Sequence, residues 1–160
     1  MIIREIPDGA HAHSPKPNPT LCLSVCSRCK PMDWRGNDHE RPGAAFAVRV
    51  AEALKASKLP ESVALRDILC MSQCKRPCVV AFSGDGRFSY LFGDLDPDMD
   101  AEAVIEGFAL YAASDDGFVE RAKRPRALQA GILGRIPPLS SAHRIIHKTT
   151  LTHTASGASL

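Results

Sequence analysis

A chain of 160 residues, 44% hydrophobic and 24% charged, has the composition of one globular domain with loose ends. Its formal net charge of +2 excludes the dense basic face that a nucleic-acid binder needs. No apolar run approaches the ~20 residues of a membrane span, so no membrane role is expected. The opening run Met-Ile-Ile-Arg-Glu-Ile-Pro-Asp-Gly has charges and a proline where a signal peptide needs an apolar run.

The expectation is therefore a cytoplasmic protein. Thiols stay reduced in that compartment, so clustered cysteines are read there as ligands or redox groups rather than structural disulfides.

Residues 1–19 are rich in Pro, His and Gly and read as a flexible arm, with His11 and His13 as tail residues. From Thr20 to Cys26 the chain alternates. Leu21, Leu23 and Val25 share one face and Cys22, Ser24 and Cys26 the other, which predicts a half-buried strand. Pro31, Asp33, Gly36, Asn37 and Asp38 predict a loop. Pro42-Gly43 opens a helix in which Ala47, Val50, Ala51 and Leu54 recur at i, i+3, i+4 and i+7, and Pro60 bounds it.

Val63 to Leu69 predicts a second strand. A helical turn over Cys70 to Cys74 would put both thiols on one side. Cys78–Phe82 and Arg87–Phe92 are predicted to pair around the turn Gly84-Asp-Gly86. Asp96 as N-cap and Pro97 at the first helical position predict a helix with Val104, Ile105, Phe108 and Tyr111 as its buried stripe. Residues 120–138 form a basic, proline-bracketed segment, with Arg121, Lys123, Arg124, Arg126 and Arg135 expected on the surface. The last twenty residues read as a tail.

The order is strand, helix, three strands, helix. Its economical solution is an α/β fold with a thioredoxin-like layout, a central mixed sheet of about four strands flanked by helices. That domain spans 20–139, between flexible arms at 1–19 and 140–160.

The six cysteines fall into two clusters, Cys22, Cys26 and Cys29, then Cys70, Cys74 and Cys78. Two short thiol clusters some forty residues apart are how one chain closes on a metal centre from two loops. Four thiolates complete a site for zinc or for a [2Fe–2S] cluster. The preferred four are Cys26 and Cys29 from the first loop and Cys70 and Cys74 from the second. Cys22 and Cys78 are expected to be buried as small hydrophobes, with a ligand role left open. Dithiol redox chemistry at Cys26 and Cys29 is a competing reading. It wants its thiol at a helix N-terminus, whereas a loop of about a dozen residues separates this pair from Pro42.

Two other motifs carry less. Asp94, Asp96, Asp98 and Asp100 resemble a calcium ladder, but an EF-hand loop would need Gly at Met99 and Glu at Ile105. Carboxylates before a helix N-terminus explain them better. His143 and His147 stand at i, i+4 and could share a metal on a helix, but Pro137-Pro138 and a Thr-rich tail argue against that helix. With no Ser/His/Asp set and no Gly-rich phosphate loop, an electron-transfer or metal-binding protein is favoured over an enzyme.

Cys70-Met-Ser-Gln-Cys-Lys-Arg-Pro-Cys, continued by Gly-Asp-Gly and an aromatic strand, resembles the second cysteine loop of thioredoxin-like [2Fe–2S] ferredoxins. That resemblance implies a cluster held by Cys70, Cys74, Cys26 and one further cysteine of the first group. Several such ferredoxins carry the last close to the first helix. No cysteine lies between residues 30 and 69 here, so Cys29, or Cys22, would take that place.

A second resemblance covers most of residues 20–139. Tyr-Leu-Phe-Gly-Asp-Leu-Asp-Pro (90–97), Leu-Tyr-Ala-Ala-Ser-Asp-Asp-Gly (110–117), Arg124-Pro125 and Gly-Ile-Leu-Gly-Arg-Ile-Pro-Pro (131–138) look like a bacterial family of predicted metal-binding proteins. Some of its members are linked to cobalamin-biosynthesis loci. Together the resemblances imply a [2Fe–2S] electron carrier or redox sensor that meets a redox partner protein, with a homodimer left open. The alternative is a zinc- or cobalt-binding module, structural or in metal delivery.

Overall fold

The computed structural model describes residues 21–37 and 40–146. Strand β1 (Leu21–Cys26) is buried along most of its length and has a neighbour on each edge. Helix α1 (Pro42–Ala56) begins with Pro42, whose fixed φ suits a first turn, and buries Phe46 and Val50. It leads to β2 (Val63–Ile68), parallel to β1. Next comes an antiparallel hairpin, β3 (Val80–Gly84) and β4 (Ser89–Phe92), with Gly86 at φ +65° in its turn. Helix α2 (Ala101–Ala113), a 3-10 turn at Arg121–Lys123, helix α3 (Arg126–Ala130) and strand β5 (Ile132–Ile136) complete the chain's regular structure among the described residues.

The sheet order is β2-β1-β3-β4-β5. A parallel βαβ unit joined to an antiparallel hairpin is the expected thioredoxin-like layout. The sheet has one strand more than the sequence suggests. Ile-Leu-Gly-Arg-Ile has no clean alternation, and only its antiparallel pairing with β4 makes it a strand.

Pairing lines up Leu23, Phe82 and Tyr90 in one cross-strand row, and Val25, Val80 and Phe92 in the next. All six are buried, so one face of the sheet is a continuous apolar floor. Phe108 and Tyr111 of α2 pack on Phe82, with ring centroids 5.1 Å and 5.8 Å away. α1 packs beside α2. On the opposite face, Ser24, Ala81, Leu91 and Gly134 form a row of mostly small residues.

Two expectations are corrected. α2 begins at Ala101, not at Pro97. The Asp96 carboxylate accepts the Asp98 N–H at 2.8 Å, and the Asp100 carboxylate accepts the Asp96 N–H at 2.8 Å. These local bonds hold residues 96–100 in turns and compete with a helix start. Arg124 is not on the surface but buried at 5% exposure. Its Nε and Nη2 donate to Val119 O at 3.1 Å and 2.8 Å, and its guanidinium lies 5.1 Å from the Tyr90 ring centroid. It pins the segment after α2 to the sheet.

Gly43 is the closest joint between α1 and the first cysteine loop. A Cβ there would stand 2.6 Å from Cys29 N, 2.7 Å from Cys26 O and 2.9 Å from Ser27 O. Gly43→Ala is expected to cost about 1–3 kcal/mol in urea unfolding, although Ala is the better helix former.

Candidate metal centre

β1 ends at Cys26, and the backbone at this end is clamped from two sides. Cys26 N–H donates to Val79 O at 3.0 Å, just ahead of β3. Ser27 N–H donates to Ile68 O at 3.0 Å, at the end of β2. Residues 68 and 79 are the two stems of the second cysteine loop, so both loops start from one place. α1 closes a third side, because Gly43 N–H donates to Cys29 O at 2.9 Å. The loop of about a dozen residues between Cys29 and Pro42 therefore separates the pair from the helix in sequence only. In space the α1 N-terminus lies against the Cys26–Cys29 loop.

The second loop does not form the expected helical turn at Cys70–Cys74. Ser72 takes φ +58°, a left-handed conformation that cannot continue a right-handed helix. The Cys70 thiol instead accepts the Ser72 N–H at 3.4 Å. Arg76 anchors the loop: its Nε donates to both carboxylate oxygens of Asp94 at 2.8 Å and 2.7 Å, and its Nη2 joins the same carboxylate. This pair holds the Asp94 carboxyl below its ordinary range. Gly93 lets the strand end approach, since a Cβ there would be 2.5 Å from Arg76 O. The Pro77–Cys78 peptide is cis. Beyond it, Cys78 N–H donates to Leu95 O at 3.1 Å and Leu95 N–H returns to Cys78 O at 3.4 Å.

The two cysteine loops are drawn together by these bonds. Cys26, Cys29 and Cys78 are all buried. Cys70 and Cys74 are exposed. The hydrogen bond with Cys78, then burial, push the Cys29 thiol far up from its ordinary value. Burial, then the hydrogen bond with Cys29, raise Cys26. Cys70 moves the other way, lowered first by the Ser72 N–H and helped by the charge of Arg28. Burial first, then the negative charge of Cys70, raise Cys74.

Cys26, Cys29, Cys70 and Cys74, the preferred four, and Cys78 lie in two loops whose stems are bonded to one another. Cys22 does not. It lies four residues up β1, ~13 Å at the rise of a strand, and its thiol meets Ser24 Oγ at 3.6 Å. Cys78 is brought beside the first cysteine loop. Its signal is its position two residues ahead of β3, whose antiparallel register with β1 carries it toward Cys26 and Cys29.

Among the described residues no three His, Cys, Asp or Glu side chains stand as close as a bound ion would draw them. The donor set still fits a four-thiolate centre in type and number, since at least two thiols come from each loop. The His143 ring stacks on Phe118 at 4.1 Å and meets Phe88 edge-on at 5.3 Å. Its segment is not helical. His147, His11 and His13 lie outside the described residues. No helix among the described residues is long and apolar enough to cross a membrane.

Fold and site together define a thioredoxin-like α/β protein with a cysteine centre shared by two loops. The chain belongs to the family described as "Protein of unknown function (DUF1636)", whose model matches residues 23–138. Among solved structures it is similar to a thioredoxin-like [2Fe-2S] ferredoxin from Aquifex aeolicus, with 17% identity and a TM-score of 0.47 over 74% of this chain and 94% of that one. No curated protein matches it at a significant level.

The thiol environments predict an order of reactivity. In metal-free protein near pH 7.5, iodoacetamide should modify Cys70 about tenfold or more faster than Cys29 or Cys78. Peptide mass mapping over time reads this directly, and equal rates would contradict the arrangement.

Proposed function

We propose that this protein is a thiolate-ligated metal protein that carries a [2Fe–2S] cluster and serves as an electron carrier or redox sensor. The observation that carries the reading is the clamp at Cys26 and Ser27, which joins two sequence-distant cysteine loops. Cys26, Cys29, Cys70 and Cys74 are the proposed ligands. Such a centre, when bound, exchanges single electrons.

The protein's own residues supply its holding and its asymmetry. The backbone bonds of Cys26, Cys29 and Cys78 set the inner thiols, and the Arg76–Asp94 pair steadies the outer loop. Cys29 on the inner side excludes water, whereas exposed Cys70 and Cys74 offer the face through which a partner is met. Arg28, Lys75 and Arg76 are the charged residues between Cys26 and Cys29 and between Cys70 and Cys78, and all are cationic. An acidic redox partner is the proposed match, because complementary charge steers such encounters. Cytoplasmic placement and a supply of electrons for cobalt reduction, the latter drawn from the cobalamin-linked resemblance, belong to the same proposal.

Anaerobic purification, then visible and EPR spectroscopy with iron and sulfide assays, tests it. The expected result is about two iron and about two sulfide per chain with a reducible chromophore. Cys26→Ser and Cys74→Ser should each lower both contents about tenfold, and unchanged contents would sink the ligand assignment. A colourless chain that holds zinc stoichiometrically and refuses iron and sulfide would favour the zinc or cobalt module.

Loading must also depend on pH in one direction. Ligation needs thiolates, and Cys26 and Cys29 are both raised, so binding displaces their protons. Apparent zinc affinity should therefore rise with pH, about tenfold per unit for each displaced proton. Competition against a chelator between about pH 6.5 and 8.5 measures the slope, and a flat profile would contradict displacement.

A further inference from the structure

Strand β2 ends the sheet order, so among the described residues one of its edges has no neighbour. Ile68 O accepts the Ser27 N–H, so the backbone groups of Ala64, Arg66 and Ile68 point to β1 and those of Leu65 and Asp67 point to the free edge. Beside that edge α1 and β2 leave a groove of about 420 Å³, walled by Val25, Ala47, Val48, Ala51 and Leu65 and charged by Arg66 and Asp67. Val48 is 58% exposed, and Leu69, just past the strand, is 68% exposed. Among the described residues neither Arg66 nor Asp67 has an ion-pair partner. The edge thus offers unpaired backbone groups, apolar area and two adjacent opposite charges.

We propose that residues 1–6 of the same chain dock on this edge as a sixth strand, antiparallel to β2. Met-Ile-Ile-Arg-Glu-Ile is free of the Pro, His and Gly that crowd residues 7–19, and its isoleucines flank an adjacent Arg4-Glu5 pair. An antiparallel register with Arg4 against Asp67 sets Glu5 against Arg66, Ile6 against Leu65, Ile3 against Ile68 and Ile2 against Leu69. Every charge then meets its opposite and every isoleucine an aliphatic side chain, the pairs that stabilise a sheet. Ile2, Arg4 and Ile6 fall on the groove side, with Leu65 and Asp67. Parallel pairing with Arg4 against Asp67 fails, since it sets Ile3 against Arg66 and Glu5 against Ile68. Pro7 falls opposite Ala64, whose backbone points to β1, so its missing N–H costs no bond. The connection also reaches. β1 and β2 start side by side, with Leu21 against Val63. Residues 7–20 therefore cross only two strand spacings, ~10 Å, whereas a proline-rich segment of that length extends ~40 Å. This docking is independent of the metal centre.

Hydrogen–deuterium exchange of the full chain, read at single amides, tests it. The Leu65 and Asp67 N–H groups should exchange about tenfold or more slower than those of an unpaired strand edge. Ile6→Asp should return both to the unprotected rate while the Leu23 and Phe82 amides stay protected, which separates undocking from unfolding. Arg4→Asp and Asp67→Arg should each speed exchange at both positions about threefold, and the double charge swap should restore most of the protection. Protection should hold across about a hundredfold dilution, as an intramolecular strand requires. Unprotected Leu65 and Asp67 amides in the wild-type chain would overturn the docking, as would protection that Ile6→Asp leaves intact. Protection lost on dilution would overturn it too, because a second copy would then supply the strand.

Discussion

The 3.0 Å backbone bond from Cys26 N–H to Val79 O continues the β1–β3 ladder and is also a contact between the two cysteine loops. Its counterpart, Ser27 N–H to Ile68 O, extends the β1–β2 ladder in the same way. Because β1 is paired on both edges, its end is held by two neighbours at once. Those neighbours are the strands on either side of the second loop in the chain. A sheet order with β1 between β2 and β3 therefore brings the loops together without any metal. Had β1 been an edge strand, one stem of the second loop would lie a full strand spacing further away, roughly 5 Å.

The rest of the fold keeps that junction in place. Rows of Leu23, Phe82 and Tyr90 and of Val25, Val80 and Phe92 fix the register of three strands, because a one-residue slip would turn these apolar side chains to the other face. α2 covers this floor with Phe108 and Tyr111. α1 does a second job at its first turn, where Gly43 lets the helix backbone reach the backbone of Cys29. Arg124 ties the segment after α2 to Tyr90, and α3 leads from there to β5, which protects the edge of β4.

The centre has a dry side and a wet side. Cys26, Cys29 and Cys78 belong to the core, whereas Cys70 and Cys74 face solvent. Exposure and hydrogen bonds to sulfur are the protein's main controls over a thiolate centre. Here both differ across a few residues: the Cys70 thiol is exposed and accepts a backbone N–H, while Cys29 is buried. Raised Cys26 and Cys29 thiols and a lowered, exposed Cys70 thiol go with this difference.

Features that depend on neighbours in sequence were legible in the chain alone. The alternation of Leu21, Leu23 and Val25 marked β1, the i, i+3, i+4 recurrence of Val50 and Leu54 marked α1, and Gly84-Asp-Gly86 marked the hairpin. The two thiol clusters were equally visible, and the α/β class came from the order of elements. Only the tertiary structure decided that Cys78 lies beside the first cysteine loop, that Arg124 is buried, and that residues 132–136 form a strand. It also decided that α1 touches the cysteine loop. Each of these depends on strand register or on contacts between residues far apart in sequence. Periodicity says which way a side chain faces but not what stands opposite it. That is set when strands choose partners and the core closes over them.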